Sequence, residues 1–156
     1  MRRKEGFTLV ELLIVVIILG ILAAVVIPQF GTASSEAKES ALMTNLAAIR
    51  GAVELYKVQH NETWPGTISG TASWANFGTH MTSQTNVSGG TGTDYGPYLR
   101  TGVPRNPING FATGTVGTIP GTPDGLTGWY YDATSGELRA NAAGTGPSTG
   151  IAYFAM

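Results

Sequence analysis

At 156 residues, with a net charge of −1 and no cysteine, the chain has the length of a single domain and lacks the basic surplus of an electrostatic nucleic-acid binder. Without thiols it has neither disulfide staples nor thiolate metal sites. Its glycines concentrate with Ser and Thr after residue 65, which points to a loop-rich C-terminal part.

The first segment runs Met1-Arg2-Arg3-Lys4-Glu5-Gly6, then Phe7-Thr8-Leu9-Val10-Glu11, then an apolar run to Ile27 that stops at Pro28. As a helix rising about 1.5 Å per residue, Phe7 to Ile27 spans roughly 30 Å, the thickness of a bilayer's hydrocarbon core. The preceding basic cluster favours a cytoplasmic N-terminus. Glu11 is the only charge within the span. A carboxylate there costs about 2.5–3.5 kcal/mol on insertion scales, so it needs a partner or a purpose. An ordinary secretory signal is cleaved after its apolar stretch, for example at Ala23-Ala24, but the length of the run and Glu11 oppose that reading. A plain single-pass anchor explains the length and leaves Glu11 and Gly6-Phe7 without a reason.

Residues 29–61 read as a continuing amphipathic helix. Leu42, Leu46, Ile49, Val53 and Tyr56 recur at alternating four- and three-residue spacings, one apolar face, with Ala33, Ala37 and Ala41 upstream. The larger residues suit packing on the protein's own sheet, and the alanines suit close helix–helix approach. Arg50 with Glu54, and Glu54 with Lys57, are spaced to pair on the solvated side. Pro28 predicts a kink and Gly20 a weak point in the helix. The helix should end near His60-Asn61, before Trp64-Pro65-Gly66.

Residues 62–156 form a head. Up to about Leu126 it reads as long turns and loops; Thr67–Thr93 shows little periodicity despite Trp74 and Phe77. Gly128–Asp132 and Glu137–Asn141 flank Ala133-Thr134-Ser135-Gly136 as a hairpin, and Ile151–Met156 can add a terminal strand. The predicted class is therefore α+β, with a small antiparallel sheet packed on the second half of the long helix. No catalytic constellation emerges, so an enzyme is not expected. His60, at a helix end, and His80, in a polar loop, read as solvated histidines without metal-ligand spacing. Ser88-Gly89-Gly90-Thr91-Gly92 lacks the lysine of a phosphate loop. Trp64, Trp74, Tyr95 and Tyr98 either pin loops or line a ligand surface, which would make the chain a membrane-anchored binding module.

Gly6-Phe7-Thr8-Leu9-Val10-Glu11 resembles the processing site of type IV prepilins and of type II secretion pseudopilins. The resemblance implies a leader, 1–6, removed by a prepilin peptidase after Gly6, and N-methylation of the new terminus Phe7. It implies that Glu11 pairs with a neighbouring subunit's terminal amine and so sets register in a helical filament. It also makes Gly20 and Pro28 points where the assembly helix, 7–28, can extend or unwind. The implied fold is the pilin lollipop. The implied location is the bacterial cytoplasmic membrane, single-pass with the head outside, and then a pilus or pseudopilus. The implied partners are the lipid bilayer, other copies of the chain, the peptidase/N-methyltransferase, the assembly platform and minor pilins. The hairpin around Trp129 leans toward the secretion-type group. Major pseudopilins of that group often hold structural Ca²⁺ near the small sheet. Here Asp94, Asp124 and Asp132 are scattered, and no ligands are assigned.

Overall fold

The computed structural model describes residues 6–156, so the basic cluster Arg2-Arg3-Lys4 of the expected leader lies outside the described residues. Helix α1 spans Leu9–Gln59 and stays helical through Gly20 and Pro28. The chain divides after Ser35 into two units.

The first unit is the beginning of α1. Its apolar side chains face outward: Phe7 and Leu9 are 80 % exposed, and Leu12 through Ile27 are mostly about half exposed or more. Water disfavours that surface, but a helix satisfies its own backbone and can present such side chains to lipid or to other helices. This stretch of α1 is long and apolar enough to cross a membrane.

The second unit, 36–156, holds the core. Leu42, Leu46, Ile49, Val53 and Tyr56 are all buried, as their spacing predicts, and meet Phe77, Met81, Trp129, Tyr131 and Leu138. Ala33, Ala37 and Ala41 are exposed. The ion pairs expected along α1 are replaced by longer-range contacts. Arg50 donates from Nε and Nη2 to the Leu138 carbonyl at 3.2 and 2.8 Å. Lys57 pairs with Glu62 at 3.3 Å and lies over the Trp64 ring. The helix closes as predicted near His60: the Glu62 amide donates back to the Lys57 carbonyl, with Asn61 and Glu62 in the left-handed region.

The loop region contains structure that the sequence reading missed. β1 (Thr67–Ile68) and β2 (Thr71–Ala72) form a small hairpin around Ser69-Gly70, both at positive φ. Helix α2 (Trp74–Thr82) follows, where a loop is expected. Ser73 caps it by accepting from the Asn76 amide at 3.1 Å, and Phe77, His80 and Met81 supply its buried face. Gly78 and the threonines on its outer side obscure that pattern.

The expected hairpin is present as β4 (Trp129–Tyr131) and β5 (Leu138–Ala140), antiparallel, with Tyr130 opposite Arg139. The sheet is mixed rather than purely antiparallel. β3 (Gly114–Val116) pairs parallel with β4, reaching it through a crossover instead of a tight turn. Gly114 is required there, because a Cβ would collide with the Trp74 ring. The expected terminal strand is also corrected. Apart from one bridge, Thr145 to Ala152, the end of the chain is a 3₁₀ turn, Tyr153–Ala155, and its preceding loop is held by α1. Glu39, 1 % exposed, accepts from the Ser148 and Thr149 amides at 2.8 and 3.1 Å and from the Thr149 hydroxyl.

Candidate functional site

Gly6 and Phe7 precede the helix and are exposed. Thr8 is the residue before α1, and Glu11 stands three positions on. The Glu11 Oε2 accepts from the Thr8 amide and the Thr8 hydroxyl, each at 2.7 Å, and the Thr8 hydroxyl accepts from the Glu11 amide at 3.2 Å. This is a capping box: two backbone donors that the helix start leaves unpaired are satisfied reciprocally. Sequence reasoning singled out Glu11 as an anomaly and overlooked Thr8, although a threonine three residues before a glutamate is the signature of this motif. Among the described residues, the hydrogen-bond partner of the Glu11 carboxylate is thus neutral and local. A neighbouring cation would gain strongly in low dielectric by displacing it.

Gly20 has open space where a side chain would project, so no contact within the chain demands a glycine. Pro28 lies within the continuous helix. Gly6, Phe7 and Glu11 are therefore brought together at the first turn, with Gly20 and Pro28 farther along the same helix.

The second unit offers no comparable arrangement. His60 and His80 are buried, not solvated as expected. Both stack with the Tyr56 ring, their ring centroids 3.7 and 5.1 Å from its own. His60 Nδ1 donates to the Tyr56 carbonyl and its Nε2 faces the Thr85 hydroxyl at 2.9 Å. His80 belongs to α2, not to a loop, and its Nδ1 accepts from the Gly66 amide at 3.0 Å. Burial, and then the nearby His60, pushes the His80 pKa below its ordinary value. The aromatics proposed for a ligand surface rest instead on core neighbours. Trp74 stacks on Phe77, Tyr95 and Tyr98 meet His60 edge-on, and the Tyr98 hydroxyl donates to Gln59.

Among the described residues, no three His, Cys, Asp or Glu side chains converge to hold a metal. Asp94 is an exposed loop residue. Asp132 closes its own turn by accepting from the Thr134 amide and hydroxyl, and these bonds hold its carboxyl below the usual range. Asp124 is engaged by Asn141, whose side chain leads in lowering the Asp124 pKa.

Similarity to known proteins is strongest over the N-terminal part of the chain. The first turn is capped through Thr8, the start of α1 is exposed and apolar, and the rest of the chain is α+β. Residues 1–27 match the family model described as the prokaryotic N-terminal methylation motif. The chain is 42 % identical over 69 residues to the type II secretion system core protein G of Pseudomonas aeruginosa, covering 44 % of this chain and 48 % of that protein. To the core protein G of Pectobacterium carotovorum subsp. carotovorum it is 28 % identical over 140 residues, covering 83 % and 87 %. To the type IV major pilin protein PilA of Myxococcus xanthus it is 53 % identical over 47 residues, covering 30 % and 21 %. The chain spans about half the length of most of the curated relatives it matches. No solved structure matches it.

Proposed function

We propose that the protein is a structural subunit of a pilus or pseudopilus filament, made as a precursor and assembled from the cytoplasmic membrane. The observation that carries this reading is the first turn of α1: Glu11, the one carboxylate in an exposed apolar stretch up to Ile27, accepts from the Thr8 amide and hydroxyl. Cleavage after Gly6 leaves Phe7 as the terminus, where methylation keeps the amine basic. In the bilayer the capping box partly compensates the Glu11 charge. In the filament the terminal ammonium of another copy takes its place, and only one axial stagger brings the two together. The apolar side chains up to Ile27 then exchange lipid for neighbouring helices. Gly20 and Pro28 supply the compliance that exchange needs. Prepilin peptidase, an assembly platform and minor subunits are the partners this cycle requires. The role is structural rather than catalytic.

A secretion pseudopilus is favoured over a type IV pilus by one observation. Similarity to core protein G of Pectobacterium extends over 140 residues and so into the head, whereas similarity to the Myxococcus pilin covers 47. Processing tests the reading directly. Gly6 and Phe7 are exposed and lie ahead of the helix, open to a peptidase, so Gly6→Leu is expected to leave the precursor uncut on a mass-resolved gel. Mature-length protein from that variant would overturn the cleavage site.

A further inference from the structure

Two buried amides, Asn106 and Asn141, hold the crossover, residues 117–128: Asn106 Nδ2 donates to the Gly128 carbonyl at 2.8 Å, and Asn141 holds the turn before it. Asn141 is fully buried immediately after β5. Its Oδ1 accepts from the Asp124 and Gly125 amides, both at 3.0 Å. Its Nδ2 donates to Asp124 Oδ1 at 2.6 Å and to the Thr127 hydroxyl at 3.0 Å. A carboxamide has two acceptor positions and two donor protons, and here all four are used. The backbone of Asn141 is fixed as well: its amide donates to the Gly128 carbonyl at 2.9 Å, and its carbonyl accepts from Asn109 Nδ2 at 2.8 Å.

Ca²⁺ near this sheet is what the resemblance to major pseudopilins implies, and the residues present do not fit it. Ca²⁺ is held by roughly six to eight oxygens. At this position the group facing the Asp124 carboxylate is an N–H donor, which repels a cation and itself satisfies the carboxylate. Asp132 is committed to its own turn, and Asp94 takes no part.

We propose that Asn141 does the work a cation would do: its carboxamide fastens the Asp124-Gly125 turn of the crossover, beside Asn106 on the Gly128 carbonyl and Asn109 on the Thr127 carbonyl, and the head folds to the same stability with or without Ca²⁺. The donors on Nδ2 stand where positive charge would be needed beside Asp124, and the acceptor Oδ1 gathers the two amides that turn the chain at Asp124-Gly125. Asn141 is thus a positioning residue for the segment leading into β4. The proposal does not depend on whether the chain builds a filament.

The test uses the purified full chain in detergent, melted in millimolar CaCl₂ and in EGTA. The two melting temperatures are expected to coincide; a higher value in Ca²⁺ overturns the proposal, and this arm needs no variant. Asn141→Asp keeps the size and one acceptor but removes both donors and sets a carboxylate against Asp124. In EGTA it is expected to melt roughly 10 °C lower. A wild-type melting temperature for Asn141→Asp without Ca²⁺ would show that the amide donors are not what holds the crossover.

Discussion

Two carboxylates on one helix are solved in opposite ways. Glu11 and Glu39 both accept a backbone amide and a threonine hydroxyl. Glu11 takes its donors from Thr8, three residues away, on an exposed turn, whereas Glu39 takes them from a loop 109 and 110 residues away and is buried. A local cap can be exchanged for an intermolecular partner without disturbing anything else. A long-range one ties the end of the chain to the helix and is part of the fold. The same division separates the two units: the first leaves its apolar residues outward, and the second spends them on its own core.

The largest effect expected from breaking this comparison is on assembly. Glu11→Val should insert in the membrane and be processed normally, yet form no filaments by electron microscopy; wild-type filament yield would remove the register role. Glu39→Val should do the reverse, lowering the melting temperature of the head while leaving processing unchanged.

Next comes the core. Ile49 is fully buried among the helix, Tyr131 and Leu138 cluster, so Ile49→Ala should cost about 2–5 kcal/mol in denaturant unfolding. Ile17→Ala, in the exposed stretch, should leave the unfolding of the head unchanged.

The smallest expected effect is on pH dependence. Because burial depresses the pKa of His80, the unfolded chain binds its proton more readily than the folded one. The stability held by neutral His80 is therefore complete above its ordinary value of about 6.5 and is lost as pH falls from there through the lower folded value. Protonation also places an N–H on Nδ1 against the Gly66 amide, donor against donor. The carboxylates Glu39, Asp124 and Asp132 are lowered as well, through hydrogen bonds, and their contributions disappear only at more acid pH, below about 4.5. Melting temperature against pH should thus begin to fall near pH 6.5 in the wild type. In His80→Gln that first step should be absent.

Much of this was legible because it was local or periodic. The helix, its buried stripe from Leu42 to Tyr56, the hairpin at Trp129 and the anomaly of Glu11 each follow from spacing or composition. What escaped depends on partners distant in the chain. Nothing near His60 or His80 reveals that Tyr56, Thr85 and Gly66 will bury them, and nothing near Arg50 predicts that it will prefer the Leu138 carbonyl to Glu54 one turn away. The parallel pairing of β3 is of the same kind, since three residues punctuated by glycine carry no strand signal until β4 is beside them. α2 and the Thr8 cap are different. Their signatures, Ser73 before Asn76 and Thr8 before Glu11, were present in the sequence and were outweighed by glycine and threonine on one side and by the apolar run on the other.

The central claim is that α1 is an assembly helix whose terminus is made by cleavage. Mass spectrometry of the N-terminal peptide from the natural protein tests it most directly. The account predicts N-methyl-Phe7 as the first residue. A peptide that retains Gly6 joined to an unmodified Phe7 in the membrane-extracted protein would contradict it.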